Sequence, residues 1–264
     1  MDSGLEVTSR GHVRVLTLAR PEKRNALSDR LAWAIIDALE EAARDDHVRV
    51  VAIKGSHGAF CAGVDLTGSE TYSSLTAQTA QIDDLHWVSR FLLVMRRGCD
   101  KPIVGGINGA AVGAGLGLAM ATDVRLAARS ARLMAGYTRI GGSPDGGLTI
   151  TLIEALGYEG AMRFMLENRT VDGAQAHAIG LVGEVVEDEA FDARLDAYCD
   201  ELCQWSPLTL RLLKRGMAKA SETIDWEAQL RYEVANITRA FTSEDGREAR
   251  AAFLEKRAPV FKGR

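Results

Sequence analysis

The stretch Gly58-Ala59-Phe60-Cys61-Ala62-Gly63-Val64-Asp65-Leu66 follows a strand-like apolar run, Val48 to Ile53. A second stretch, Asn108-Gly109-Ala110-Ala111-Val112-Gly113-Ala114-Gly115-Leu116-Gly117, follows Pro102 to Ile107 in the same way. Each leads into helix-compatible sequence. Glycine lets a backbone pass close to a ligand and take torsions that other residues avoid. A turn at a helix start also leaves N–H groups without internal partners, free to face a negative charge. Two such turns meeting in space could offer two backbone donors to one oxyanion.

Working outward, Leu5 to Val7 and Val13 to Leu18 read as strands, and Pro21-Glu22-Lys23-Arg24-Asn25 breaks the pattern. Ser28 can cap a helix whose Leu31, Ile35, Ile36 and Leu39 share one face. Ser69 to Thr79 is polar and reads as a mobile loop. A helix is expected from about Gln81 to Arg97, with Leu85, Val88, Leu92 and Met95 inward. The second glycine stretch starts a helix through Ala121, and Val124 to Ala128 is another strand. This recurrence of strand, turn and helix predicts an α/β fold with parallel pairing. From Leu148 onward the pattern is mostly helical, interrupted by Gly183 to Glu187, with breaks near Pro207 and Ser221.

The chain has 264 residues, 47% hydrophobic and 26% charged, with a net charge of −4. That is ordinary for a globular protein and argues against nucleic acid as a partner. No run approaches the ~20 apolar residues of a membrane span, and Met1 to Glu6 lacks a signal-peptide pattern. A cytoplasmic protein is expected. Cys61, Cys99, Cys199 and Cys203 form no C-x-x-C pair and no cluster with histidine at metal-ligand spacing, so reduced thiols and no metal are expected. The glycosylation patterns at Asn168 and Asn236 read as chance matches without a secretory signal.

Four motifs in register then carry a resemblance. Arg20-Pro21-Glu22-Lys23-Arg24-Asn25-Ala26-Leu27, Ala59 to Leu66, Lys101-Pro102 through Asn108-Gly109 to Asp123, and Ala252 to Lys262 resemble the enoyl-CoA hydratase/isomerase (crotonase) family over nearly the whole chain. The resemblance implies an α/β, crotonase-like spiral of ββα units over residues 1–195, holding a CoA-thioester site. It implies a C-terminal helical oligomerisation region over residues 196–264, building a homotrimer or a hexamer of two trimers and covering CoA. Coenzyme A would be part of the substrate, with no separate cofactor. By position, the amides of Val64 and Ala114 would form the oxyanion hole, although the family usually has glycine where Ala114 stands. Lys23 and Arg24 would approach the CoA phosphates, Ala26, Ala62, Asp65 and Leu66 the CoA-contacting backbone, and Phe261 and Lys262 would reach CoA, in some members from a neighbouring subunit.

The resemblance also bears on the reaction. Family hydratases use two glutamates, and the corresponding positions here are Gly117 and Tyr137. Asp145, in Gly141-Gly142-Ser143-Pro144-Asp145-Gly146-Gly147, stands where family isomerases carry a proton-shuttling carboxylate. Double-bond isomerisation with Asp145 as base is therefore expected, and Tyr137 could donate a hydrogen bond or line the acyl pocket, the lining role being favoured. Family dehalogenases pair an aspartate here with a histidine at the position of Arg90; His86 lies one helical turn away. Asp145 could instead cap the following helix, in which case the chain could be a non-catalytic CoA-binding member. Two other readings fail on spacing. A dinucleotide fingerprint would need glycine where Leu118 stands, and a nucleophile elbow at Ser143 would need glycine where Asp145 stands.

Overall fold

The computed structural model describes residues 3–67, 86–139, 143–222 and 242–264. The expected Ser69–Thr79 loop, the Gln81–Leu85 start of the helix and Gly141-Gly142 lie outside them. An antiparallel hairpin of β1 (Leu5–Arg10) and β2 (Val13–Leu18) opens the chain. Helix α1 (Asp29–Arg44) starts at Ser28, whose hydroxyl accepts from the Leu31 amide at 3.2 Å, a cap of the kind that contributes about 1 kcal/mol. Its Leu31, Ile35, Ile36 and Leu39 are buried, as the spacing predicts.

Three strand pairs follow: β3 (Val50–Gly55) with β4 (Ala59–Cys61), β5 (Ile103–Ile107) with β6 (Ala110–Val112), and β7 (Val124–Ala128) with β8 (Arg132–Met134). The first strand of each pair enters one sheet and the second enters another. The larger sheet runs β1-β2-β3-β5-β7 and ends on β10 (Glu184–Val186); the smaller runs β4-β6-β8 and ends on β9 (Val171–Asp172). All pairings from β2 to β10 in the larger sheet are parallel. A helix follows each pair: α2 (His86–Leu93), α3 (Ala114–Ala121) and α4 (Leu148–Glu167). This is the expected spiral of ββα units.

The short strands β4 and β6 were not foreseen. Each is three residues inside a stretch read as turn and helix start, too short to show a period of two. Helix α2 also ends earlier than expected, the chain continuing through Val94–Gly98 as a π-helical turn.

Period two is plain in β3. Val50 and Ala52 pack with Val104, Leu126, Phe191, Leu195 and Cys199, while Val51 and Ile53 pack in the main core with α1 and α3. The larger sheet is thus covered on one face by α6 (Phe191–Cys203), which follows α5 (Gly173–Ala178). Residue 195, the expected boundary of the core, lies inside α6. Helix α7 (Pro207–Glu222) crosses the N-terminal ends of the strands, where Lys214 donates to the Lys101 carbonyl and meets Asp123, each at 2.8 Å. Helix α8 (Glu244–Glu255) and the tail close that end. Among the described residues, no helix is long and apolar enough to cross a membrane.

Candidate active site

The glycine-rich turns sit at the C-terminal ends of β3 and β5 and lie against each other. A methyl group at Gly109 would stand 2.0 Å from the Gly58 carbonyl oxygen, and one at Gly115 would stand 2.2 Å from that of Cys61. Both distances are impossible for a real side chain, so these glycines are required for contact between the turns rather than with a ligand. A Cβ at Gly63 would lie 3.8 Å from the Ala114 nitrogen, which puts the two expected oxyanion donors side by side.

Local bonding explains why those amides are open. The Leu27 amide donates to the Gly63 carbonyl at 2.7 Å and the Asp65 amide donates to the Leu27 carbonyl at 2.8 Å. Successive N–H groups of an extended chain alternate sides, so Val64 presents its amide away from Leu27. Ala114 is the first residue of α3, before any carbonyl of the helix can accept from it. Neither amide has a hydrogen-bond acceptor among the described residues. Every residue of α3 is buried, so its N-terminus presents its dipole in a poorly hydrated setting.

The Arg20–Leu27 stretch clamps the first turn. Asn25 is fully buried and donates to the carbonyls of Ser56 and Ala59 at 2.9 and 2.7 Å. The Ala62 amide donates to the Arg24 carbonyl at 3.1 Å. Arg20 reaches the Ala26 carbonyl and pairs with Asp65 at 2.9 Å. Asp65 is buried in this structure, and its carboxylate also accepts from the Thr67 hydroxyl at 2.7 Å. Thr67, and after it Arg20, hold the Asp65 carboxyl down to about 2 against the opposing effect of burial. A depressed folded value makes this contribution to stability complete above the unfolded value of about 4 and lost as pH falls through about 2. Asp65→Asn is expected to flatten the acid limb of the unfolding midpoint between pH 4 and 2. An unchanged limb would show that Asp65 is not the group responsible.

Lys23 and Arg24 are exposed beside this turn, with Lys23 donating to the Thr67 hydroxyl at 2.8 Å. Ala26 is buried, Ala62 half-buried and Leu66 exposed, all along the same segment. Phe261 and Lys262 lie elsewhere. The Phe261 carbonyl accepts from Arg49, just before β3, at the end of the sheet opposite the glycine turns. The six residues of β3 put about 20 Å between the two ends. Within one chain these tail residues do not join the site.

Asp145 sits against it. The Asp145 and Gly146 carbonyl oxygens would each be 3.9 Å from a Cβ at Gly117, within one turn of α3 from Ala114. Gly146 and Gly147 take φ of +63° and +75°, and the turn rests on Val88 and Leu92 of α2. The Asp145 side chain does not cap α4, whose N-cap is Gly147 with no side-chain bond. It accepts instead from the Tyr137 hydroxyl at 2.7 Å. Of the two roles open to Tyr137, the hydrogen bond is the one seen: the ring is buried and its hydroxyl donates to Asp145. Arg90, by contrast, lies on the side of α2 opposite Val88 and Leu92, over the Trp33 ring at 5.8 Å. That leaves the expected dehalogenase partner position turned away from Asp145.

Cys61 is buried between the turns, and burial pushes its thiol up to about 12, so it stays a neutral filler. Arg20, Asn25 and Thr67 had not been singled out as site residues. The signal was present in Arg20-Pro21 through Asn25, a turn rich in side chains able to bond backbone.

Comparison with known proteins bears on the fold and the family. A family model described as enoyl-CoA hydratase/isomerase matches residues 8–264. A 1,2-epoxyphenylacetyl-CoA isomerase of Escherichia coli K12 is 33% identical over 96% of this chain and 95% of its own length. A 2,3-dehydroadipyl-CoA hydratase of the same organism is 32% identical over 99% and 100%. Among solved structures, an enoyl-CoA hydratase from Polaromonas sp. JS666 superposes with a TM-score of 0.89 at 30% identity, covering 98% of this chain and 99% of that one. A putative enoyl-CoA hydratase from Streptomyces coelicolor A3(2) superposes with a TM-score of 0.90 at 31% identity, covering 99% and 94%. With two open amides brought together at the ends of parallel strands and a match along its whole length, the chain belongs to the enoyl-CoA hydratase/isomerase family.

Proposed function

We propose that this protein moves a double bond within an unsaturated acyl-CoA thioester, with Asp145 as the base. The observation that carries the reading is the pair of amides, Val64 and Ala114, without an acceptor among the described residues, with the Asp145 turn packed against the helix that Ala114 starts. The thioester oxygen sits on the two amides. Asp145 removes a proton from the acyl chain, and the resulting enolate places its charge on that oxygen. Each donor contributes roughly 3 kcal/mol where charge develops in the transition state. The carboxylate then returns the proton to a carbon further along, and one base suffices for both steps.

Water addition needs an acid–base pair flanking a water, and neither position of that pair carries a carboxylate here. Gly117 has no side chain and Tyr137 is a phenol whose proton is engaged with Asp145. Relatives of similar identity are named as an isomerase and as a hydratase, so the residues at these positions are what favours isomerisation. CoA lies along Lys23, Arg24, Ala26, Ala62, Asp65 and Leu66, with its phosphates at the two cations. Phe261 and Lys262 reach the site of a neighbouring copy in a homotrimer or hexamer, residues 196–264 making that assembly. The protein works in the cytoplasm.

The test is a screen of 3-enoyl, 2-enoyl and aryl CoA thioesters, followed by mass and ultraviolet absorbance. A 3-enoyl thioester is expected to gain conjugated absorbance without change of mass, and crotonyl-CoA is expected to gain almost no water. Brisk hydration of crotonyl-CoA would overturn the assignment.

A further inference from the structure

The Tyr137 hydroxyl donates to Oδ1 of Asp145 at 2.7 Å, and among the described residues this is the one hydrogen bond that the carboxylate accepts. The two ends of the contact differ in burial. Tyr137 is buried, its ring in the main core, whereas Asp145 is exposed on a turn of glycines. The buried ring is the anchor and the carboxylate is what it anchors. Burial first, and the neighbouring Asp145 second, push the phenol above its ordinary value, so it keeps its proton and remains a donor throughout the working range. A second carboxylate at this position would repel Asp145; a phenol binds it.

We infer that Tyr137 is the positioning residue of the base, tying down Oδ1 so that Oδ2 alone carries the transferred proton. This rests on Asp145 being the base. In the forward step an Oδ2 lone pair takes the proton. The C–H electron pair enters the new carbon–carbon bond of the enolate, and negative charge passes to the thioester oxygen between the Val64 and Ala114 amides. In the second step the oxygen charge re-forms the thioester carbonyl, the double bond shifts along the chain, and the electron pair so delivered to the distal carbon takes the proton as the O–H bond breaks, restoring the carboxylate. Nothing is oxidised or reduced. With Oδ1 tied, the protonated carboxyl cannot swing towards solvent between the two steps, so the hydrogen removed is the one returned.

The experiment is Tyr137→Phe, which keeps the ring and deletes only the hydroxyl. Turnover of the 3-enoyl thioester is run in deuterated water, and deuterium in the product is read by mass. We expect kcat to fall about 10- to 100-fold, the range carried by a hydrogen bond to a charged group, with KM within about twofold. We expect the deuterium fraction per turnover to rise at least about twofold and the unfolding midpoint to stay within a few degrees. A residue that only fills the wall would not change the exchange ratio. Wild-type kcat and exchange in Tyr137→Phe, or a loss confined to KM, overturns the positioning role while leaving the base assignment intact. Full turnover in Asp145→Asn overturns the base assignment, and the role of Tyr137 with it.

Discussion

Asp145→Asn is expected to lower kcat by about 10²- to 10⁴-fold, the usual span for loss of a general base, and to leave thioester binding within about threefold. The reason lies in what asparagine keeps. Its side-chain oxygen can still accept from Tyr137, so the turn and the ring stay where they are. Asp145 makes no cap to α4 and is exposed, so folding loses little. What disappears is an oxygen basic enough to take a proton. Calorimetric binding of the thioester beside single-turnover kinetics separates the two quantities. A variant that binds and turns over like the wild type would make Asp145 structural, and the chain would then fit a binding protein rather than an isomerase.

Ala114→Pro removes one donor from the oxyanion hole without breaking an internal bond. Proline is well tolerated as the first residue of a helix, and Ala114 holds that place in α3. The residue before proline must be extended. Gly113 has φ 54° and ψ −123°, the mirror image of an extended conformation, which glycine alone adopts freely. The ring then puts a carbon where the amide hydrogen pointed. The expected loss in kcat is about 10²- to 10³-fold, the effect of deleting one oxyanion donor. Ala114→Gly is the control: it keeps the N–H and restores the residue usual in the family, so activity near wild type is expected. Comparable activity in the proline variant would show that the thioester oxygen does not sit on this amide.

Much of this was legible in the order of residues. Most of the apolar runs Val48 to Ile53 and Pro102 to Ile107 entered β3 and β5, each with a parallel neighbour on both sides, because buried strands must be apolar on both faces. Helix α1 followed from a serine cap and a spacing of three and four. The two glycine turns could be read directly, whereas Val64, Ala114 and Asp145 could be named only by their positions in the motifs that resemble the family. Other features were hidden for identifiable reasons. The strands β4 and β6 are held by pairing between turns that are 51 residues apart, Ala59 with Ala110, and no local period announces them. For Tyr137 the sequence left pocket wall and hydrogen-bond donor both open, because an aromatic residue says nothing of where its hydroxyl points.

Sequence alone therefore determined the layered α/β architecture and the two glycine turns, since each depends on local chemistry: apolarity and glycine torsion. Only the tertiary structure decided how those parts meet. Gly109 and Gly115 exist for contact between backbones and not for a ligand, Asp145 is held by a phenol and does not cap a helix, and the tail of one chain lies at the wrong end of its own sheet. These are facts of distance between residues far apart in the chain, and a one-dimensional pattern carries no distances.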